Sequence, residues 1–287
     1  MKLPMCSYLL GSSMWPVLGA AMVLATHPAQ AAEGKPLWEA GIGVAAISFP
    51  AYRGSDQSQG FVLPTPYFVY RGEFFKADRE GFRAELFDSD KVELTVSAAL
   101  SPPASSEDIR VRAGMPDLRA NVELGPQLNL TLWQAPGKAS VLKLLLPLRS
   151  GYTLERRPKS LGWVLHPKLN LDLTRVTGLP GWNVGMQVGP LFGDRKQHQY
   201  FYGVDAAFAT ADRAAYRAGA GFAGMQYLMG VSKQLDRYWI GAFLRYDSLH
   251  GAAFENSPLV RSRNYLAGGV AISWILGQSS ERARVDE

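Results

Sequence analysis

Along most of this chain, apolar and polar side chains alternate one by one. In GWVLHPKLNLDL, Trp163, Leu165, Pro167, Leu169, Leu171 and Leu173 share one parity, while Val164, His166, Lys168, Asn170 and Asp172 share the other. NVELGPQLNLTL repeats the split, with Val122, Leu124, Pro126, Leu128, Leu130 and Leu132 against Asn121, Glu123, Gly125, Gln127, Asn129 and Thr131. A period of two is that of an extended strand, whose successive side chains point to opposite faces. The closing stretch NYLAGGVAISWIL carries no charge and sets Leu266, Val270, Ile272, Trp274 and Leu276 opposite Ala267, Gly269, Ala271 and Ser273.

The question is which solvent each face meets. A secreted β-sandwich or lipocalin-like barrel turns large residues inward and polar ones outward. The polar faces here hold Glu123, Gln127, Asn129, His166, Lys168, Asn170, Asp172, Arg245 and Asp247. That many polar groups do not fill a dry core, whereas leucine faces suit hydrocarbon. An all-β, transmembrane antiparallel β-barrel, apolar outside and polar inside, accommodates both.

Twelve such segments run near 38–48, 60–70, 74–87, 92–100, 119–132, 140–150, 161–173, 181–193, 199–204, 218–232, 238–248 and 265–276. Turn signals such as Asp88-Ser89-Asp90, Ala135-Pro136-Gly137 and Leu235-Asp236-Arg237 fall between them. The segment 74–87 changes parity around Asp78–Gly81, which reads as a bulge, and 199–204 is short. The pattern predicts a barrel of about twelve strands, with Leu128 and Leu169 facing lipid and Asn129 and Lys168 facing the lumen.

The amino end adds a compartment. Lys2, the mostly apolar run Tyr8–Ala25 and the small-x-small site Ala29-Gln30-Ala31 read as a signal peptide over residues 1–31, cleaved before a barrel spanning 32–276. The one cysteine, Cys6, lies inside that leader, so the mature chain has no disulfide or thiol chemistry. Without the leader, 29 Lys+Arg (30 less Lys2) stand against 25 Asp+Glu. That mild excess suits anionic lipid heads and lacks the basic run of a nucleic-acid footprint.

The residues carry little chemistry. His166, His198 and His250 are the mature chain's imidazoles, and no pair of them has metal-ligand spacing. Asp247-Ser248-Leu249-His250 has the residue types of a hydrolytic triad, but their adjacency hinders a base from reaching the nucleophile while a third group orients it. We therefore expect no enzyme, no cofactor and no metal. Lys143, Arg149, Lys168 and Arg245 against Glu93, Glu123 and Asp172 line either a pore or a salt-bridged plug.

Particular words then accumulate: Phe49-Pro50-Ala51-Tyr52-Arg53-Gly54, Gly114-Met115-Pro116-Asp117, Leu124-Gly125-Pro126-Gln127-Leu128, Tyr200-Phe201-Tyr202-Gly203-Val204, Asn256-Ser257-Pro258-Leu259-Val260 and Ala271-Ile272-Ser273-Trp274. Over about residues 37–276 the chain resembles the MipA/OmpV family. The resemblance implies a barrel in the outer membrane of a Gram-negative bacterium, among its lipid and lipopolysaccharide. It further implies a scaffold in peptidoglycan synthesis, with a murein transglycosylase and a murein synthase as partners. A channel or uptake protein for small solutes is the alternative, and the resemblance brings no catalytic residue.

Two expectations depend on strand count. Counting twelve strands from a periplasmic amino end places the loop Ser101–Leu118 in the periplasm, where Ile109, Val111 and Met115 would dock murein enzymes. The polar tail 277–287, which lacks alternation, is expected to be disordered and dispensable.

Overall fold

The computed structural model describes residues 35–71, 75–78, 81–89, 91–174, 176 and 178–283. The expected leader and the last four residues lie outside them. Thirteen strands are present among the described residues: β1 (Trp38–Pro50), β2 (Ser58–Arg71), β3 (Phe75–Asp78), β4 (Gly81–Asp88), β5 (Val92–Ser101), β6 (Asn121–Gln134), β7 (Ser140–Thr153), β8 (Ser160–Leu165), β9 (Lys168–Leu173), β10 (Trp182–Gly193), β11 (Gly221–Gln234), β12 (Tyr238–Ser248) and β13 (Asn264–Gln278). One α-helix, α1 (Arg195–Tyr202), and three single-turn 3-10 helices interrupt the series among the described residues.

Each strand pairs antiparallel with its neighbours, and the sheet closes where β1 meets β13. β8 and β9 are two halves of one staggered strand, split at His166-Pro167, since both pair with β7 and with β10. The wall therefore has twelve strand positions, as the alternation predicts, though two were assigned differently. The segment 74–87 holds the β3–β4 hairpin, so its parity change marks a turn. The segment 199–204 is the end of α1 and its exit. Asp194 caps that helix, its side chain accepting from the Gln197 amide at 2.8 Å, which outweighs the strand-like run Tyr200-Phe201-Tyr202.

The faces follow the expected parity. Leu169, Leu124, Leu266, Val270 and Ile272 are exposed on the outer surface. Asn129 and Asn170 are buried in the lumen, and Lys168 donates there to Gln187 Oε1 on the neighbouring strand β10 at 2.8 Å. Leu128 sits half-buried on the outer face beside Asn129. Two rings of exposed aromatics bracket the apolar belt, as at a membrane's two interfaces. Trp38, Trp133, Tyr238 and Trp274 lie at the end that holds the chain termini, and Tyr152, Trp163, Phe192 and Tyr246 at the other. Among the described residues no helix is long and apolar enough to cross a membrane, so crossing falls to the strands.

Proline in these strands marks breaks in the ladder, because it has no N–H to give. Pro126 sits where β6–β7 pairing lapses between Leu124 and Gln127. Pro147 faces the β8/β9 break, and Pro190 borders the shift between β10 and β11.

The two ends differ. Connections at the termini end are short, such as 135–139 and 235–237. Those at the other end include the long 102–120, 194–220 and 249–263 beside the shorter 51–57 and 154–159, whereas the longest at the termini end is 174–181. Short periplasmic turns and longer external loops are the outer-membrane pattern. The carboxyl segment beyond β13 is not a loose tail. Ser279 donates to Trp38 O, Leu37 to Glu281 O and Ala283 to Lys35 O, so the described part continues the closing ladder.

Candidate functional site

The long loops fold together over the external mouth. Tyr52, Ile109, Leu118, Tyr202, Val204, Leu249, Phe254 and Leu259 form one buried apolar cluster drawn from four connections and their strand ends. At its centre the Tyr202 and Phe254 rings stack with centroids 3.6 Å apart, and the His198 ring meets Phe254 edge-on at 4.7 Å. These contacts join α1 to the β12–β13 loop.

Polar anchors lock the same loops. Tyr52 Oη donates to Leu259 O at 2.5 Å, and Ser257 Oγ to Tyr202 O at 2.7 Å. Arg112, buried in loop 102–120, donates to Phe201 O and Pro116 O and lies over the Tyr52 ring. Arg213 reaches from loop 194–220 to the carbonyls of Val111 and Ala113 at 2.9 and 3.0 Å. A buried guanidinium satisfied by fixed carbonyls ties segments distant in sequence into one body.

Burial also sets the protonation of the cap. Desolvation raises the Tyr52 and Tyr202 phenols far above their ordinary range, so both stay neutral donors. Desolvation lowers the His198 imidazole, against the hydrogen bond from its Nδ1 to Gly219 O at 2.6 Å. His198 is therefore neutral at neutral pH.

Beneath the cap lies a charged floor. Asp247, with no exposed surface, is paired with Arg245 at 2.8 Å and Arg53 at 3.2 Å, and accepts from Gln226 at 3.0 Å. Two cations converge on this carboxylate, which fixes loop 51–57 to the wall.

Further down, charges pair across strands. Lys143 meets Glu93 at 3.6 Å, and Arg149 meets Glu123 at 3.1 Å. Gln127 donates to Asn129 and Asn129 to Glu93, which extends the first pair, while Gln197 of α1 donates to Glu123. Asp172 accepts from Asn170. Near the termini end Glu39, almost fully buried, accepts from Tyr67 and Gln234 and lies 3.5 Å from Arg71. Much of the interior is a cross-linked polar network, from Glu39 near the termini end to Asp247 beneath the cap.

With this geometry established, the comparisons place the chain. Residues 42–276 match the family described as MltA-interacting protein MipA. The chain belongs to that family. The chain is similar to the outer membrane protein OmpV of Vibrio cholerae serotype O1, 26% identical over 243 residues, covering 83% of this chain and 86% of OmpV. Among solved structures, a bacterial polysaccharide outer membrane secretin aligns at TM-score 0.40 and 9% identity over 83% of this chain and 99% of its own. Outer membrane phospholipase A from Escherichia coli aligns at 0.33 and 10%, over 84% and 94%. This MipA-family chain is an outer-membrane β-barrel.

The expected docking loop of this MipA-family chain is corrected. Because 74–87 contributes two strands, loop 102–120 follows an odd-numbered strand and lies with the external connections, away from the termini. Ile109 is 1% exposed in the cap, with Val111 and Met115 packed against the same cluster. Ile109 is held inside the lid, and Val111 and Met115 pack half-buried against it at the end away from the chain termini. The sequence clue was Asp78–Gly81, polar residues at a parity change, which suit a turn as well as a bulge.

The triad-like residues are not assembled. Asp247 is held by arginines under the cap, while His250 lies on its surface, 3.1 Å from Asn264 and 3.9 Å from Glu255. Among the described residues no group of three or more His, Cys, Asp or Glu is placed to hold a metal. His166 is buried in the lumen at the β8/β9 break. The outer face of the cap carries a cleft of about 510 Å³ lined by Glu107, Asp117, Arg119, Glu155, Lys159 and Tyr200, among others.

Proposed function

We propose that this barrel is a non-catalytic, non-conducting anchor that holds murein-synthesising machinery at the outer membrane through its periplasmic rim. The observation that carries this reading is the double obstruction of the barrel: a packed lid over the mouth and paired charges along the lumen. A path for hydrated solutes has to dismantle both, so the channel reading is the weaker one. The family's description names an interaction with MltA, and the resemblance supplies a lytic transglycosylase and a murein synthase as partners.

The docking surface in this reading is the short-turned end. Lys35, Lys91, Lys138, Lys233, Arg237 and Arg282 gather there, a cationic rim facing acidic murein peptides and their enzymes. Lys233 also lies over the Trp182 ring at 5.9 Å, where an amphipathic side chain reaches out of the belt.

Two measurements test the proposal. In planar bilayers the purified barrel should give no stable conductance step, and a reproducible step would favour the channel. In pull-downs from solubilised envelopes the native barrel should retain transglycosylase, and Lys138→Glu with Arg237→Glu should lose it. Equal retention by both would remove the rim from the account.

A further inference from the structure

Among the described residues the wall is not laddered all the way round. β2 and β5 are separated by the β3–β4 hairpin, whose described residues pair with β2 through Tyr70↔Ala77 and Arg71↔Lys76. On its other side the described residues of the hairpin pair with β5 from Glu93 to Thr95. Both contacts lie towards the termini end. Among the described residues, no strand pairs with the facing edges of β2 and β5 over the outer half of the wall.

The sequence is adapted to that free edge. Arg71 N donates to Leu37 O and Ala51 N to Gln57 O, so odd-numbered residues of β2 turn their main-chain groups to β1. Alternation then turns those of Gly60, Val62, Pro64, Pro66 and Phe68 to the gap. Two of these five positions are prolines, with no N–H to leave unpaired in hydrocarbon, where an unmet peptide group is costly. On β5, Ser89 N donates to Val92 O while Thr131 N donates to Lys91 O, so even-numbered residues face the gap and Pro102 ends the run. Gly60, Val62, Ala98 and Leu100 lie nearest the outer interface, where water and lipid heads reach.

The lumen beside the gap is apolar, unlike the rest. Phe49 and Phe61 stack at 5.5 Å, and Leu63 and Phe243, inward by register, are 43% and 39% exposed. Ile47 and Phe243 close over Gly269, whose missing Cβ would stand 2.6 Å from Ile47 Cγ2 and 2.8 Å from Phe243 Cε1. A lumen that is elsewhere charged and hydrogen-bonded thus presents hydrocarbon to a breach in the outer half of its wall.

From this geometry we propose that the β2–β5 gap is a lateral portal through which an acyl chain of a bilayer lipid enters and lies against Phe61, Leu63 and Phe243. Three observations choose the occupant. The gap opens into the apolar belt, so lipid chains are what lie against it. The route to the aqueous exterior is closed by the cap. A partner's β-strand would meet a β2 edge that withholds donors at Pro64 and Pro66, the means by which sheets refuse edge pairing.

The test uses the full barrel in vesicles of phosphatidylethanolamine and phosphatidylglycerol, with p-benzoylphenylalanine placed in turn at Leu63, Phe61, Val62 and Asn129. Each variant is first checked for the heat-modifiable migration of a folded barrel. On irradiation, Val62 on the lipid face reports full lipid exposure and Asn129 the polar lumen. Leu63 or Phe61 should give phospholipid adducts, read by mass, in yields approaching Val62 and several-fold above Asn129. Yields at Leu63 and Phe61 no higher than at Asn129 would overturn the portal, as would adducts to polypeptide alone from native membranes.

Discussion

The wall and the cap of this protein obey opposite polarity rules. In the wall, leucine, valine and tryptophan point outward while Glu93, Glu123, Asn129 and Lys143 point inward, so the chain is inverted about its sheet. In the cap, Leu249, Phe254 and Leu259 are wholly buried and Glu107, Asp108 and Arg110 stand outside, as in a water-soluble domain. The two are covalently continuous: β12 presents Leu244 and Tyr246 to lipid, and three residues past Tyr246 the chain buries Leu249 in the lid. The difference shows that polarity here reports the solvent met at each height, and that one short stretch of sequence records the change of solvent.

The largest expected effect comes from hollowing the cap. Phe254→Ala removes the ring that stacks on Tyr202 and meets His198, and truncating a buried phenylalanine costs about 3–5 kcal/mol. Because the cap is its own apolar cluster, the loss should open the external loops to protease while the barrel keeps its heat-modifiable migration. Loss of the whole barrel would mean that wall and cap are one cooperative unit.

Next is a charge on the lipid face. Leu169→Arg should destabilise the barrel in phospholipid vesicles by about 2–4 kcal/mol in urea titration. Gln127→Arg, facing the lumen one residue from Leu128 and near Glu93 and Glu123, should cost markedly less. Equal costs would reverse the register.

The smallest effect is a pH dependence confined to the cap. His198 is held neutral by burial, its imidazole lowered below the ordinary value of about 6.5, so the opened cap binds a proton that the closed cap refuses. Cap stability is therefore full above that ordinary value and falls as pH drops below it, towards the lowered one. Of the charged groups around the ring, Arg53 opposes protonation and Asp194 favours it. Protection of residues 194–220 against amide exchange, after correction for the intrinsic pH dependence of exchange, should fall on acidification in the native protein, and His198→Gln should flatten the response. An unchanged slope in that variant would assign the dependence to other groups.

Much of the wall was legible in the sequence because hydrocarbon leaves little latitude: Leu124 to Leu132 and Trp163 to Leu173 must alternate if one face meets lipid and the other a polar lumen. The cap was not legible, since loop residues such as Ile109 and Phe254 carry no period, and their burial depends on partners far along the chain. The hairpin at Asp78–Gly81 and the helix after Asp194 were misread for local reasons. A turn and a bulge both break parity, and Tyr200-Phe201-Tyr202 suits a strand until the Asp194 cap is weighed. Those two errors offset each other in the strand count, yet the first alone reversed the side assigned to loop 102–120. The portal was legible only in part: Pro64 and Pro66 were visible within a strand, but which edge lacks a partner depends on pairing.

One labelling experiment decides on which side of the outer membrane the cap lies. Asp108→Cys places a thiol on an exposed cap residue, and Asp236→Cys places one in the exposed β11–β12 turn at the opposite end. The chain's own Cys6 lies in the expected leader. On intact cells a membrane-impermeant maleimide should label the protein with cysteine at position 108 and spare that with cysteine at 236, and both should react once the outer membrane is opened. Labelling at 236 with protection at 108 would invert the barrel and contradict the account.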